Sequence, residues 1–248
     1  DALPICMSRL TGSRLWSSRS ATFSGVVDSG AADIPYHFVS AHPYGNGTAE
    51  GHQAIRVGME QLAADPAFNA TVGARALDVD MSFEFPFEEA YTNRTYGLSH
   101  ISAGDAAKIG ERLARSLAEE WAEYAKPGSP VALAGGDIAE DGPKAVAAMA
   151  LSADTLVVKV AHDRAAGFAP LDAEAAAGVG WSVRSPSGVV SAEDVQVLSA
   201  DTLQVRFDGA VPTQGTLYYG YGYGRLAASD QPGRGKAIYD DAGLPLWT

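Results

Sequence analysis

Lys126-Pro-Gly-Ser-Pro130 divides this sequence into two unlike parts. Two prolines around Gly-Ser cannot carry a helix onward, because proline lacks the amide hydrogen and its ring crowds the preceding turn. Upstream the pattern is helical. Ser102 is an N-cap, Asp105 sits in the first turn, and Ile109, Leu113, Leu117 and Trp121 recur four apart, which predicts an amphipathic helix ending by Lys126. Downstream the pattern is β. Thr155-Leu-Val-Val-Lys-Val160, Gly180-Trp-Ser-Val-Arg184, Asp194-Val-Gln-Val-Leu198, Thr202-Leu-Gln-Val-Arg-Phe207 and Thr216-Leu-Tyr-Tyr-Gly220 read as strands. Turn signals separate them, at Ser185-Pro-Ser-Gly188, Ser199-Ala-Asp201, Asp208-Gly209 and Pro212-Thr-Gln-Gly215. Short strands at regular spacing predict an antiparallel β-sandwich.

Further upstream, Tyr36-His-Phe-Val-Ser40 reads as a buried strand and His42-Pro-Tyr-Gly-Asn-Gly47 as a loop. Glu50 to Ala64 reads as a helix whose inner face carries Ala54, Val57, Gly58, Gln61 and Leu62, stopped by Asp65-Pro66. Val72 to Phe87 alternates like a strand, and Glu88 to Ser99 is a polar loop. The order β-α-β-α predicts an α/β class with a parallel sheet. Two domains are expected, residues 1–126 and 131–248. Two strands and two helices leave a parallel sheet incomplete, since both of its faces need cover. Residues 1–35 show no period that supplies more strands, so either they pair without a visible pattern or the rest is expected from a lost segment or another chain.

The 248 residues suffice for one large or two small cores. Hydrophobic residues at 46% and charged residues at 19% argue against disorder. Eighteen Lys+Arg against thirty Asp+Glu give −12, which argues against nucleic acid or an anionic membrane as partner. Apolar stretches such as Ala145 to Leu151 fall far short of the ~20 residues of a membrane helix. The single Cys6 excludes an internal disulfide framework and a Cys-based zinc site. Asp1, with no charged segment leading into an apolar run, suggests a product cut from something longer.

Ligands of open α/β sheets bind beyond the carboxyl ends of the strands. Two predicted loops take that place, Ala41 to Glu50 and Glu88 to Ile101. They bring His42, with His52 just beyond, and His100. His100, immediately before a helix, is the candidate general base for a serine nucleophile, and a surface helix-start histidine is its plain alternative. Asp78 and Asp80 read as a solvated strand face, with one of them a candidate to orient a histidine. Glu84, Glu88, Glu89 and Asp80 lack calcium-loop spacing and read as acidic surface, so no metal or cofactor is expected. No motif selects a glycosidase carboxylate pair. Tyr218, Tyr219, Tyr221 and Tyr223 offer faces to sugar rings, although a sandwich strand with Tyr219, Tyr221 and Tyr223 on one face explains them as well. Trp16, Trp181 and Trp247 read as packing anchors.

Gly97-Leu-Ser-His-Ile-Ser-Ala-Gly-Asp-Ala-Ala-Lys-Ile-Gly110, then Glu-Arg-Leu-Ala-Arg-Ser-Leu117, resembles the last conserved block of SGNH (GDSL-type) hydrolases. The closest branch is that of carbohydrate O-acetylesterases, including sialate O-acetylesterase-like proteins. Gly220-Tyr-Gly-Tyr-Gly224 and Gly235-Lys-Ala-Ile-Tyr-Asp-Asp-Ala-Gly-Leu-Pro245 resemble the end of their sandwich. The resemblance covers roughly residues 36–248. It implies a partial flavodoxin-like (SGNH-type) parallel sheet followed by an antiparallel β-sandwich. It also implies a serine nucleophile, an oxyanion hole of backbone N–H groups and an Asn, and a histidine base, here His100. Gly97 stands in the place of the family's aspartate, and no Gly-Asp-Ser or Gly-Gln-Ser block occurs. Thr11-Gly-Ser-Arg14 is a poor substitute, and Gly45-Asn46-Gly47 only faintly suggests the family's Gly-x-Asn block.

The expectation is therefore a carbohydrate esterase, or a fragment of one, that deacetylates a polysaccharide. It is inactive unless an amino-terminal fragment carrying the serine joins it. The alternative is a non-catalytic carbohydrate-binding or structural accessory module. The expected partner is a polysaccharide or acetylated sugar, and the expected place is extracellular or on a cell or virion surface.

Overall fold

The computed structural model describes residues 36–40, 49–66, 68–75, 103–135, 137–222 and 237–248. The first part is a parallel pair. Strand β1 (Tyr36–Val39) leads through helix α1 (Ala49–Ala64) to β2 (Ala70–Ala74), and helix α2 (Ala103–Glu120) follows. Tyr36 pairs with Ala70 and Phe38 with Val72, in parallel register. Ser40 N–H still donates to Ala74 O at 2.8 Å, so the two strands leave the pair side by side. A small core of Ala74 and Ile109, flanked by Val39 and Leu113, joins α2 to the strands. Gly73 permits this approach: a Cβ there would lie 2.9 Å from Leu113 Cδ2.

Helix α1 turns a different face inward from the one its apolar spacing predicts, whereas α2 keeps Ile109 and Leu113 of its predicted face against the strands and departs from it beyond them. On α1, Ala54, Val57, Gly58 and Gln61 are exposed, while His52 is buried and Gln53, Ile55, Arg56, Met59 and Glu60 are half-buried. On α2, Leu117 and Trp121 are exposed, and the buried stripe is Ile109, Arg112 and Ser116. Polar side chains hold the inward positions because they bond across to other elements, as described below. A 3₁₀ turn, Ala122–Tyr124, follows α2. The Pro-Gly-Ser-Pro segment leads into a short helix, α3 (Pro130–Ala134), with proline at its first turn and Ser129 Oγ accepting from Ala132 N–H at 3.3 Å.

The remainder is one antiparallel sheet of six strands in the order β3-β4-β7-β6-β5-β8. These are β3 (Lys144–Ala150), β4 (Thr155–Ala161), β5 (Trp181–Ser185), β6 (Gly188–Ser199), β7 (Thr202–Phe207) and β8 (Thr216–Tyr219). A one-turn helix, α4 (Ala173–Ala176), precedes β5 and is capped by the Asp172 carboxylate. The five expected strands are present, and β3 is an addition. The 12-residue β6 is shared: Ser191 pairs with Ser182 of β5, whereas Ala192 pairs with Phe207 of β7, with a register shift between Ala192 and Asp194. Bulges bend and twist a strand, which lets the sheet fold over itself. The core enclosed includes Leu156, Val158, Val160, Trp181, Val183, Leu203, Val205, Phe207 and Tyr219. Thus a mixed α/β arrangement with a parallel pair and an antiparallel sheet is observed.

Tyr219 closes this core. Its ring lies 4.7 Å from Trp181, and its hydroxyl accepts from the buried Ile238 N–H at 2.6 Å. Tyr219→Phe strands that N–H, and an unmade buried bond costs about 1–3 kcal/mol. Urea unfolding should show a lower midpoint with an unchanged slope.

Candidate functional site

The carboxyl ends of β1 and β2 point the same way, so segments 41–48 and 76–102 depart from a common rim. The first segment runs to the amino terminus of α1 and the second to that of α2. His100 precedes the first residue of α2 by three positions. His42, Asn46, Asp78, Asp80, Glu84, Glu88, Glu89, Gly97, His100, Tyr223, Trp16 and Thr11 to Arg14 lie outside the described residues.

The antiparallel sheet is tied to this same rim. Arg56 of α1 donates to Gly220 O at 2.5 Å and to Gly222 O at 3.5 Å, and Gln53 Oε1 accepts from Gly222 N–H at 2.9 Å. Gly222 sits against Ala49, the first residue of α1, where a Cβ would approach to 2.8 Å. Gly220 and Gly222 have φ of 66° and 76°, values that other residues resist. These two left-handed positions end the strand after Tyr219. The predicted alternation of Tyr219, Tyr221 and Tyr223 on one face therefore does not extend to Tyr221. Tyr219 is buried, whereas Tyr221 turns onto Tyr218, edge to face at 4.9 Å. The Arg184 guanidinium lies 3.9 Å over the Tyr221 ring. All three side chains are half-buried. An aromatic platform with a cation therefore lies beside the Gly220–Gly222 turn that packs on α1.

A second constellation lies on the inner side of α2. His37 Nδ1 is 3.0 Å from Ser116 Oγ. Ser116 also stands beside the Glu140 carboxyl and favours its charged form. His37 Nε2 is buried without a hydrogen-bond partner among the described residues. Burial lowers the His37 pKa, against the pull of Glu120, and burial raises that of Glu140 against the Ser116 bond. Histidine, serine and carboxylate meet here, but the serine stands in the middle and is 1% exposed. An attacking hydroxyl must be reachable and take its base directly, so this group joins elements rather than performing acyl transfer. Its only sequence signal was a polar residue, Ser116, at the inward spacing Ile109, Arg112, Ser116.

Arginines make the other ties. Arg75 donates to both Glu60 oxygens at 2.9 Å, bonds Asp141, and lies 3.5 Å over the Trp247 ring. Lys144 stands 4.3 Å from the same ring, and Trp247 Nε1–H donates to Gly142 O at 3.0 Å. Arg112 donates to Arg75 O at 3.0 Å and Arg115 to Ala242 O at 3.1 Å. Glu119 accepts from Ile138 N–H at 3.0 Å and pairs with Arg164 at 2.6 Å. Trp247 is thus an anchor through its ring faces, and Trp181 through burial.

Among the described residues, no group of three or more His, Cys, Asp or Glu is placed to hold a metal ion. No described helix is long and apolar enough to cross a membrane. No protein-family model and no curated protein matches the sequence. A solved structure described as the S-layer protein rSbsC(31-844) aligns with 99% of this chain at 14% identity and a TM-score of 0.32. The chain spans 40% of that protein's length. A likeness at that level assigns neither fold nor activity.

Proposed function

We propose that the chain supplies the base and the sugar platform of an SGNH-type carbohydrate esterase, which removes acetyl groups from a polysaccharide by serine acyl transfer. One observation carries this reading. The rim that α2 enters three residues after His100 belongs to the same parallel pair whose α1 is bonded to the Gly220–Gly222 turn holding Tyr221. Aromatic faces stack on the apolar faces of sugar rings, and an arginine beside them donates to ring hydroxyls. His100 takes the serine proton during attack and returns it to the departing sugar hydroxyl. The serine comes from a Gly-Asp-Ser-type segment joined to this chain, whose partial flavodoxin-like sheet it completes. Residues 1–126 form the hydrolase part and 131–248 the accessory part. An extracellular or surface setting suits such a substrate.

The test is p-nitrophenyl acetate hydrolysis by the polypeptide that includes the serine segment. His100→Ala should lower kcat by about 10²–10⁴, the usual contribution of a positioned acid–base group. Equal hydrolysis by both proteins removes His100 from the mechanism. Gly97 in the acid's place and the Arg184–Tyr221 stack favour a second reading, a binding module without turnover. Glycan binding with no acetyl release under the same conditions would select it.

A further inference from the structure

We infer that Arg184 is the receptor for a sugar carboxylate, so that the glycan seated on Tyr218 and Tyr221 carries a uronic-acid unit there. The inference rests on the reading of those rings as a sugar platform and names the class of sugar it takes. The starting point is a difference among arginines. Arg56 and Arg112 donate to backbone carbonyls, Arg115 donates to Ala242 O, and Arg75, Arg164 and Arg206 pair with carboxylates. Arg184 alone makes neither a hydrogen bond nor an ion pair among the described residues. Its place is nevertheless fixed. It is half-buried, and its guanidinium carbon lies 3.9 Å over the Tyr221 ring. The positive φ of Gly220 and Gly222 sets that ring, and Arg56 and Gln53 of α1 bond the same turn.

The surroundings say what meets this cation. Trp181 and Val183 of β5 point into the core, so Ser182 and Arg184 face outward by the period of two. Arg184 pairs with Thr216 and Val189, and Ser182 with Tyr218 and Ser191. Hydroxyls of Ser182, Ser191 and Thr216 therefore share the outward face with Arg184 and Tyr218. Strands β5 and β8 and residues 188–192 bring no second charge to it. Asp208 accepts from Ser191 N–H at 3.0 Å and is engaged there. A guanidinium laid flat on a ring keeps the N–H groups of its edge free, and their planar fork matches a carboxylate in two parallel bonds. A carboxylate borne on a sugar ring brings an apolar face for the tyrosines and hydroxyls for the serines and threonine. A neutral sugar leaves the cation without a counter-charge. The net charge of −12 repels a long polyanion, so the occupant carries its acid at this position rather than at every unit.

Calorimetric titration of the whole chain with glucuronosyl-xylose, a disaccharide with a single carboxylate, and with its uncharged methyl ester tests this. The acid should bind about tenfold more tightly than the ester, the usual worth of a charge-assisted hydrogen-bonded pair. Arg184→Gln should abolish that preference with unchanged circular dichroism and Tm. Arg184→Lys should keep a smaller one, because a point charge lacks the fork. Equal binding of acid and ester by the wild type, or a preference that survives Arg184→Gln, would overturn the inference. A glutamate-containing peptide bound as tightly as the disaccharide would overturn the sugar as occupant. If acid and ester bind equally and Tyr218→Ala weakens both, the inference falls and the platform stands. Binding of neither removes both. Acid-selective binding lost in Arg184→Gln, without acetyl release by the serine-bearing polypeptide, keeps the inference and removes the esterase.

Discussion

Trp181→Ala is expected to remove about 3–5 kcal/mol of stability, the usual cost of deleting a large buried aromatic side chain. Trp181 is 2% exposed and meets Tyr219, whose hydroxyl in turn holds the Ile238 N–H. Truncation leaves a cavity between the two limbs of the folded sheet, which β6 alone joins by changing partners at Ala192–Asp194. Trp181→Phe should be far milder. The indole N–H is buried without a partner among the described residues, so phenylalanine removes an unmade bond as well as some volume. Urea unfolding followed by circular dichroism separates the two. Equal losses for Ala and Phe would show that the indole N–H is satisfied in the folded chain.

Arg75→Ala should be nearly as damaging, at about 2–4 kcal/mol, for a different reason. Breaking a buried ion pair leaves charges that burial has made costly, and the partial exposure of Glu60 and Asp141 discounts the full penalty. It also removes the cation from the Trp247 face. The penalty depends on pH. Burial raises the Asp141 pKa, and Arg75 opposes that rise. A carboxyl whose folded pKa is raised binds its proton more tightly when folded, so its own contribution falls as pH rises through that window. Without Arg75 the rise is larger. The difference between wild type and Arg75→Ala should therefore be greatest at neutral pH and shrink as Asp141 is protonated. A pH-independent difference would place the loss in packing on Trp247 instead.

The strands were legible where β-branched residues alternate, as in Thr155–Ala161 and Thr202–Phe207. β3 was not, because Lys144-Ala-Val-Ala-Ala-Met-Ala150 is mostly alanine and favours no period. The start of β6 was hidden by its turn-like Gly188 and by a polar face that one limb of a folded sheet turns to water. Helix existence could be read, and helix facing only in part, since Ile109 and Leu113 of α2 do meet the strands. Apolar spacing chose Val57 and Leu117, while the inward sides also carry Arg56, Arg112 and Ser116, whose partners are distant in sequence. A tertiary hydrogen bond leaves no periodic trace. The rim was legible from the order β-α-β-α, and the tyrosines were legible as a cluster. Their orientation was not, because it depends on two glycines with positive φ.

Nuclear magnetic resonance titration with an acetylated oligosaccharide tests the shared rim most directly. The account predicts that the His100 imidazole, the Tyr218 and Tyr221 rings and the Arg184 guanidinium shift together, with one common half-saturation. Shifts at the tyrosines while His100 stays still would separate the platform from the base and contradict it.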